Sequence, residues 1–231
     1  MTESNAVLTI LKQTFTYLAS GNTCYVFESE DKKYVIKFFK QNLMKSSLLN
    51  NYLPNNLKNY LPQSKKSKKR LLKRKKDFNS FQIAHNYLKK ETGLIYLHLN
   101  KNTSFQKTVK CIDQYGQEFL FSVDHMEFLI QKKAELVFDY LGNLLANNKE
   151  ADLLKGIEGI LKIITERMQM GIYDFDLDLS KNFGFVDNKA IKIDIGEFQI
   201  DPEQNDKKKI RAVIELITIQ LNIWFEKQCP H

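Results

Sequence analysis

The stretch GIYDFDLDLSKNFGFVDNKAIKIDIGEF, residues 171–198, decides how the rest of the chain is read. It breaks helical period and sets acidic residues between short apolar runs. Residues 183–193 predict a two-stranded hairpin with Asp187-Asn188 at its turn, because short polar side chains tolerate the backbone that a tight turn demands. Such a hairpin would bring Asn182 and Asp194, twelve positions apart, to the same end.

On either side the pattern is helical. Ile157, Ile160, Leu161, Ile164 and Met168 form one apolar stripe, and Ile210, Val213, Ile214, Ile217, Leu221 and Trp224 form another; both predict amphipathic helices with a core-facing side. Upstream, TYLASGN, TCYVFES, the EDKK turn and KYVIKFFK read as a hairpin or three-stranded start. Residues 41–64, rich in Asn, Leu and Ser with two prolines, predict an irregular connection or insertion. A long helix is expected over about 68–91, stopped at Gly93. TVKCID, a turn at Tyr115-Gly116, EFLFSV and EFLIQ then read as strands.

A chain of 231 residues can bury one core or two small parts sharing a cleft. Its 43% hydrophobic and 27% charged content is that of an ordinary globular protein. The N-terminus does not read as a signal peptide, and no run reaches the about eighteen apolar residues of a membrane span. Cys24, Cys111 and Cys229 lie far apart and are odd in number, which fits neither a disulfide framework nor a zinc site and points to the cytoplasm. The net charge is +8, yet Lys65–Lys76 alone supplies nine positive charges, leaving −1 for the remainder. One segment is basic, not the protein.

Three motifs, in order, resemble the protein-kinase-like superfamily. Leu18 to Phe27, with Gly21 and Val26 retained, resembles the glycine-rich loop; Val35-Ile36-Lys37 resembles the phosphate-pairing lysine motif. Asp176, Asn182 and Asp194-Ile195-Gly196 resemble the catalytic aspartate, the metal-binding asparagine and the metal-binding Asp-Phe-Gly motif. The resemblance implies an α+β, two-lobed fold: a β-rich N-terminal nucleotide-binding lobe over residues 1–131, with 41–76 as insertion and basic segment, and a reduced helical C-terminal lobe over 132–231. It implies ATP and Mg²⁺ as cofactors. Gly21, Val26 and Lys37 would face the nucleotide, adenine would lie near Gln131 to Ala134, and Asn182 with Asp194 would hold the metal.

The sequence departs from that family at several places. The helix that should carry a glutamate for Lys37 offers Gln82 at its middle and Glu91 near its end. Asp174, Asp176 and Asp178 precede Asn182 by eight, six and four positions, where the family has five, and Asp176 is the choice made here. The His-Arg pair before the catalytic aspartate is replaced by Tyr173-Asp174-Phe175. A calcium loop is disfavoured by Leu179 and Phe185 at the sixth and twelfth positions. His85, His98, His125 and His231 form no metal-spaced pair.

The resemblance implies phosphoryl transfer to a hydroxyl of a small-molecule, sugar or glycolipid acceptor, as in bacterial aminoglycoside and lipopolysaccharide kinases, since Asp201-Pro202-Glu203 follows Gly196 too closely for a peptide platform. A pseudokinase serving as a nucleotide-binding or interaction scaffold is the alternative. Lys65–Lys76 could dock an anionic glycolipid or peripheral membrane surface, with nucleic acid the weaker reading.

Overall fold

A computed structural model describes residues 3–40, 65–100 and 105–228. The expected insertion at 41–64 lies outside the described residues. Helix α1 (Glu3–Ile10) precedes an antiparallel meander of β1 (Thr14–Ser20), β2 (Cys24–Ser29) and β3 (Tyr34–Phe39), the three-stranded start read from the sequence. The long helix α2 spans Lys65–Tyr87 rather than 68–91. Gly93, at φ +63°, closes the turns that follow it, a left-handed backbone that glycine adopts without steric cost.

Four strands complete the sheet: β4 (Leu94–His98), β5 (Thr108–Ile112), β6 (Glu118–Ser122) and β7 (Phe128–Lys132). The order is β4-β7-β3-β2-β1-β5-β6; β1 and β5 run parallel and the other pairs antiparallel. One face buries Phe15, Phe27, Ile36, Phe38, Val109 and Phe128 beneath Val7 and Ile10 of α1 and Leu11 just after it. The opposite face packs Cys24, Phe39 and Leu129 on Phe81, Ile83 and Ala84 of α2 and on Leu88 just after it, and this second cluster also takes in Ile172, Ile195 and Phe198. The acidic segment is therefore rooted in the underside of the sheet.

The remainder is helical around short strands: β8 (Glu135–Leu136), α3 (Val137–Ala146), α4 (Glu150–Gln169), β9 (Ile172–Asp174), α5 (Leu179–Asn182), β10 (Phe183–Val186), β11 (Lys189–Lys192), β12 (Phe198–Ile200) and α6 (Lys207–Gln228). The stripes anticipated on α4 and α6 bury Ile160, Ile164 and Met168 against Val213, Ile217 and Leu221, together with Phe183 and Phe185 of β10. The protein is thus α+β, with one large mixed sheet and several helices. Among the described residues, no helix is long and apolar enough to cross a membrane.

Candidate functional site

The hairpin forms as its sequence predicts. Phe183 pairs with Lys192 and Val186 with Lys189, and Asp187 and Asn188 carry the turn at φ 50° and 60°. Two successive positive-φ residues are the mark of a turn whose twist matches the flanking strands. Gly184 permits the close packing of β8 on β10: a methyl there would lie 2.3 Å from the Glu135 carbonyl oxygen and 2.9 Å from Ala134 Cβ. At the open end, the Asn182 carbonyl accepts from Ile193 N at 2.7 Å and from Asp194 N at 3.4 Å. Asn182 is 6% exposed, whereas Asp194 faces solvent and accepts from Gly196 N at 3.0 Å.

Strands β3 and β7 reach the same point from above. Val35 pairs with Gln131 and Lys37 with Leu129, so Lys37 and Gln131 share the sheet face that looks toward the hairpin. Lys37 Nζ donates to the Ile193 carbonyl at 2.9 Å, and Gln131 Nε2 donates to the carbonyls of Thr92, Ile193 and Lys192 at 2.6, 3.1 and 3.3 Å. Burial pulls the Lys37 ammonium below its ordinary pKa, against the opposing charges of Asp194 and Cys24. Gln131 is fully buried and braces the chain from inside. Ala134 lies in the link from β7 to β8, against Gly184.

The three aspartates have separate surroundings. Asp174 is buried, and its Oδ2 takes Arg167 Nη1 at 2.7 Å and Lys192 Nζ at 2.8 Å. Asp178 caps α5, accepting from Ser180 N at 2.9 Å and Ser180 Oγ at 2.6 Å, bonds that hold its carboxyl below the usual range. Asp176 is half-exposed; its Oδ1 accepts from Asp178 N at 3.4 Å.

Val26 pairs with Lys37 in the sheet. Gly21 sits at the exposed β1–β2 turn, where its carbonyl accepts from Lys40 Nζ at 2.6 Å and an added methyl would meet nothing within 4 Å. The structure thus gathers Lys37, Gln131, Asn182 and Asp194 around Ile193, and ties Asp176 to them: its carbonyl accepts from Asn182 Nδ2 at 3.5 Å and from Lys192 Nζ.

Sequence reasoning passed over Asp77, Ser80, Arg167 and Lys192. Asp77 ends the basic run on α2, is 7% exposed, and has its carboxyl pushed up by burial within reach of the charges of Lys73, Glu197, Lys76 and Asp194. Gln82 is exposed and Glu91 offers its main-chain carbonyl to Lys192 N at 2.8 Å. Ser80 Oγ donates to the Ile195 carbonyl at 2.6 Å and accepts from Phe198 N at 2.7 Å, fastening α2 to the segment after Asp194. Arg167 had a visible signal: it interrupts the buried stripe of α4 between Ile164 and Met168. A buried guanidinium requires an acid.

Among the described residues, no group of three or more His, Cys, Asp or Glu gathers as a metal cage. Asn182 and Asp194 supply an amide oxygen and a carboxylate at one end of a hairpin, a donor set that suits Mg²⁺ completed by water and phosphate oxygens.

No protein-family model and no curated protein matches the chain. Among solved structures, the bifunctional kinase-methyltransferase WbdD is similar at 15% identity and a TM-score of 0.41, over 84% of this chain and 34% of that one. The Rv3197–erythromycin complex from Mycobacterium tuberculosis is similar at 13% identity and a TM-score of 0.38, over 88% of this chain and 53% of that one. The chain thus spans about a third and about half of those two proteins, and neither likeness carries an argument at these values.

Proposed function

We propose that the protein is a kinase-like phosphotransferase that moves the γ-phosphoryl group of ATP to a hydroxyl of a small-molecule, sugar or glycolipid acceptor. In this reading residues 1–131 act as the nucleotide-binding lobe and 132–231 as the lobe that carries the acceptor chemistry. The observation that supports it is the convergence on Ile193: Asn182 and Asp194 adjoin through its flanking backbone, and Lys37 from β3 bonds its carbonyl. Residues bearing a cation, a carboxylate and an amide adjoin there, the side-chain types that a kinase-like site would use for phosphates and a metal.

Lys37 would pair with nucleotide phosphates, and its desolvated ammonium is poised for an anion. Asn182 and Asp194 would hold Mg²⁺, which when bound neutralises phosphate charge. Asp176, half-exposed and held through its main chain, would orient the acceptor hydroxyl and take its proton as the new P–O bond forms and the bond to ADP breaks. Gly21 and Val26 would cover the nucleotide. Adenine would lie beside the Gln131 to Ala134 segment.

Thermal unfolding with and without Mg²⁺-ATP tests this reading, since a ligand that binds only the folded state raises the midpoint. Wild type should gain stability and Asp194→Ala should not. No shift at millimolar ATP would sink the proposal.

The second reading is a pseudokinase scaffold. It is favoured by the Lys37 hydrogen bond to a main-chain carbonyl where the resemblance expects a helix carboxylate. Nucleotide-dependent stabilisation without turnover on any acceptor would select it.

The basic segment supports a further partner proposal, an anionic membrane or glycolipid surface. Helix α2 exposes Lys69, Lys73 and Lys75 beside Leu71 and Leu72, which are 47% and 67% exposed, and this mixture of cations and apolar side chains suits an interfacial helix.

A further inference from the structure

Arg167, Asp174 and Lys192 come from three elements, α4, β9 and β11, and meet in the interior with side-chain exposures of 4%, 1% and 4%. Two cations share one carboxylate, and both lie over rings, Arg167 at 5.5 Å from the Phe198 centroid and Lys192 at 4.5 Å from that of Phe183. We infer that this buried trio is a positioning device for Asp176, an inference that rests on the phosphotransferase reading.

The trio is wired to Asp176 on both sides of its peptide frame. Asp174 spends Oδ2 on the two cations and leaves Oδ1 to accept from Asp176 N at 3.0 Å. Lys192 Nζ, besides pairing with Asp174, donates to the Asp176 carbonyl, the same oxygen that Asn182 Nδ2 approaches at 3.5 Å. The main chain of Asp176 is therefore gripped at its N–H and its C=O, while its side chain remains free toward solvent apart from the Asp178 amide.

Stability does not explain such an arrangement. Desolvating two cations and a carboxylate offsets their attraction, and a well-packed apolar trio of similar volume serves the core as well or better. What apolar side chains cannot do is hold a particular N–H and C=O in place. The trio also links the helix stripe of α4 to β9 and β11, the two strands that end two positions before Asp176 and Asp194, so these two aspartates are referred to one rigid frame. Arg167, Asp174 and Lys192 are positioning residues, since none is placed to touch substrate.

The test uses the whole 231-residue chain, Mg²⁺-ATP as ligand and water as acceptor. Lys192→Met keeps the stem and removes the charge; the triple variant Arg167→Met, Asp174→Leu, Lys192→Met replaces the trio with apolar groups and covers the case in which the single variant does not fold. Both should keep the Mg²⁺-ATP thermal shift and the KM for ATP, while kcat for hydrolysis falls by roughly 10²-fold, the scale of a misplaced catalytic group. Amide exchange at Asp176, followed by NMR, should quicken in parallel. If wild type hydrolyses ATP and the variants match its kcat, with Asp176 exchange unchanged, the positioning role is overturned. If wild type is neither stabilised by Mg²⁺-ATP nor hydrolyses it, the phosphotransferase reading fails instead, and the exchange measurement alone then decides whether the trio holds Asp176.

Discussion

His98 lies 3% exposed within 5.0 Å of the Phe128 ring centroid, 5.8 Å of Phe105 and 6.3 Å of Tyr96. Burial pushes its pKa below the ordinary value, against the charges of Asp124 and Glu127. Protonation is then easier in the unfolded chain, so unfolding takes up a proton, and stability is lost as pH falls through the ordinary histidine range. Between about pH 7.5 and about pH 5.5 the urea midpoint of wild type should drop more than that of His98→Phe; equal drops would disprove the assignment. The thiols behave in the opposite sense. Burial raises Cys24 to about 11 and Cys111 to about 12, Thr23 and Lys37 drawing Cys24 down only in part. Neither should take up iodoacetamide in the native protein at about pH 8, and both should do so in urea. Such residue environments were only partly visible in the sequence. Arg167 on an apolar stripe carried a signal of a hidden partner that the sequence reading passed over, and Asp174 and Asp176 are chemically identical letters two positions apart, so that only packing makes one a buried counter-ion and leaves the other half-exposed.

At the scale of elements, the attachment of α2 to the segment after Asp194 is the most exposed to a single change. Ser80→Ala would strand the Ile195 carbonyl and the Phe198 amide inside the protein, both now bonded to Ser80 Oγ. The loss should be about 2 kcal/mol, read as a lower urea midpoint at an unchanged slope. A loss below about 0.5 kcal/mol would mean that the two groups find other partners. The strands β2 and β3, the β10–β11 hairpin and the stripes of α4 and α6 were readable, because each displays its own period and turn chemistry. Helix α1 and strand β4 were not. α1 is eight residues long, too short to declare itself, and folds because Val7 and Ile10 complete a core face. β4 is five residues without alternation, and its state is decided by pairing with β7.

For the whole molecule, charge is segregated: nine of the cations belong to one helix segment of a chain whose net charge is +8. Two of them are used internally, Arg74 on Glu127 at 2.7 Å and Lys76 on Glu197 at 2.7 Å, while Lys69 and Lys75 are exposed. If this face meets an anionic surface, Lys69→Gln with Lys75→Gln should weaken binding to phosphatidylserine-bearing vesicles by about 1 kcal/mol per charge, roughly 30-fold together, and leave the melting temperature in place. Binding that ignores both charge and salt would refute the surface proposal.

Residue types and their spacing were enough to determine the β-rich start, the helix stripes and the hairpin after Asn182 that sets Asn182 and Asp194 at one end, because these depend on local period and on a turn closed within a few residues. Tertiary structure alone decided that Lys37 reaches Ile193, that Gln131 braces the sheet from within, that Ser80 fastens α2, and that Arg167 and Lys192 enclose Asp174. Those contacts join segments far apart in the chain, and a linear pattern carries no record of which buried polar group will satisfy which.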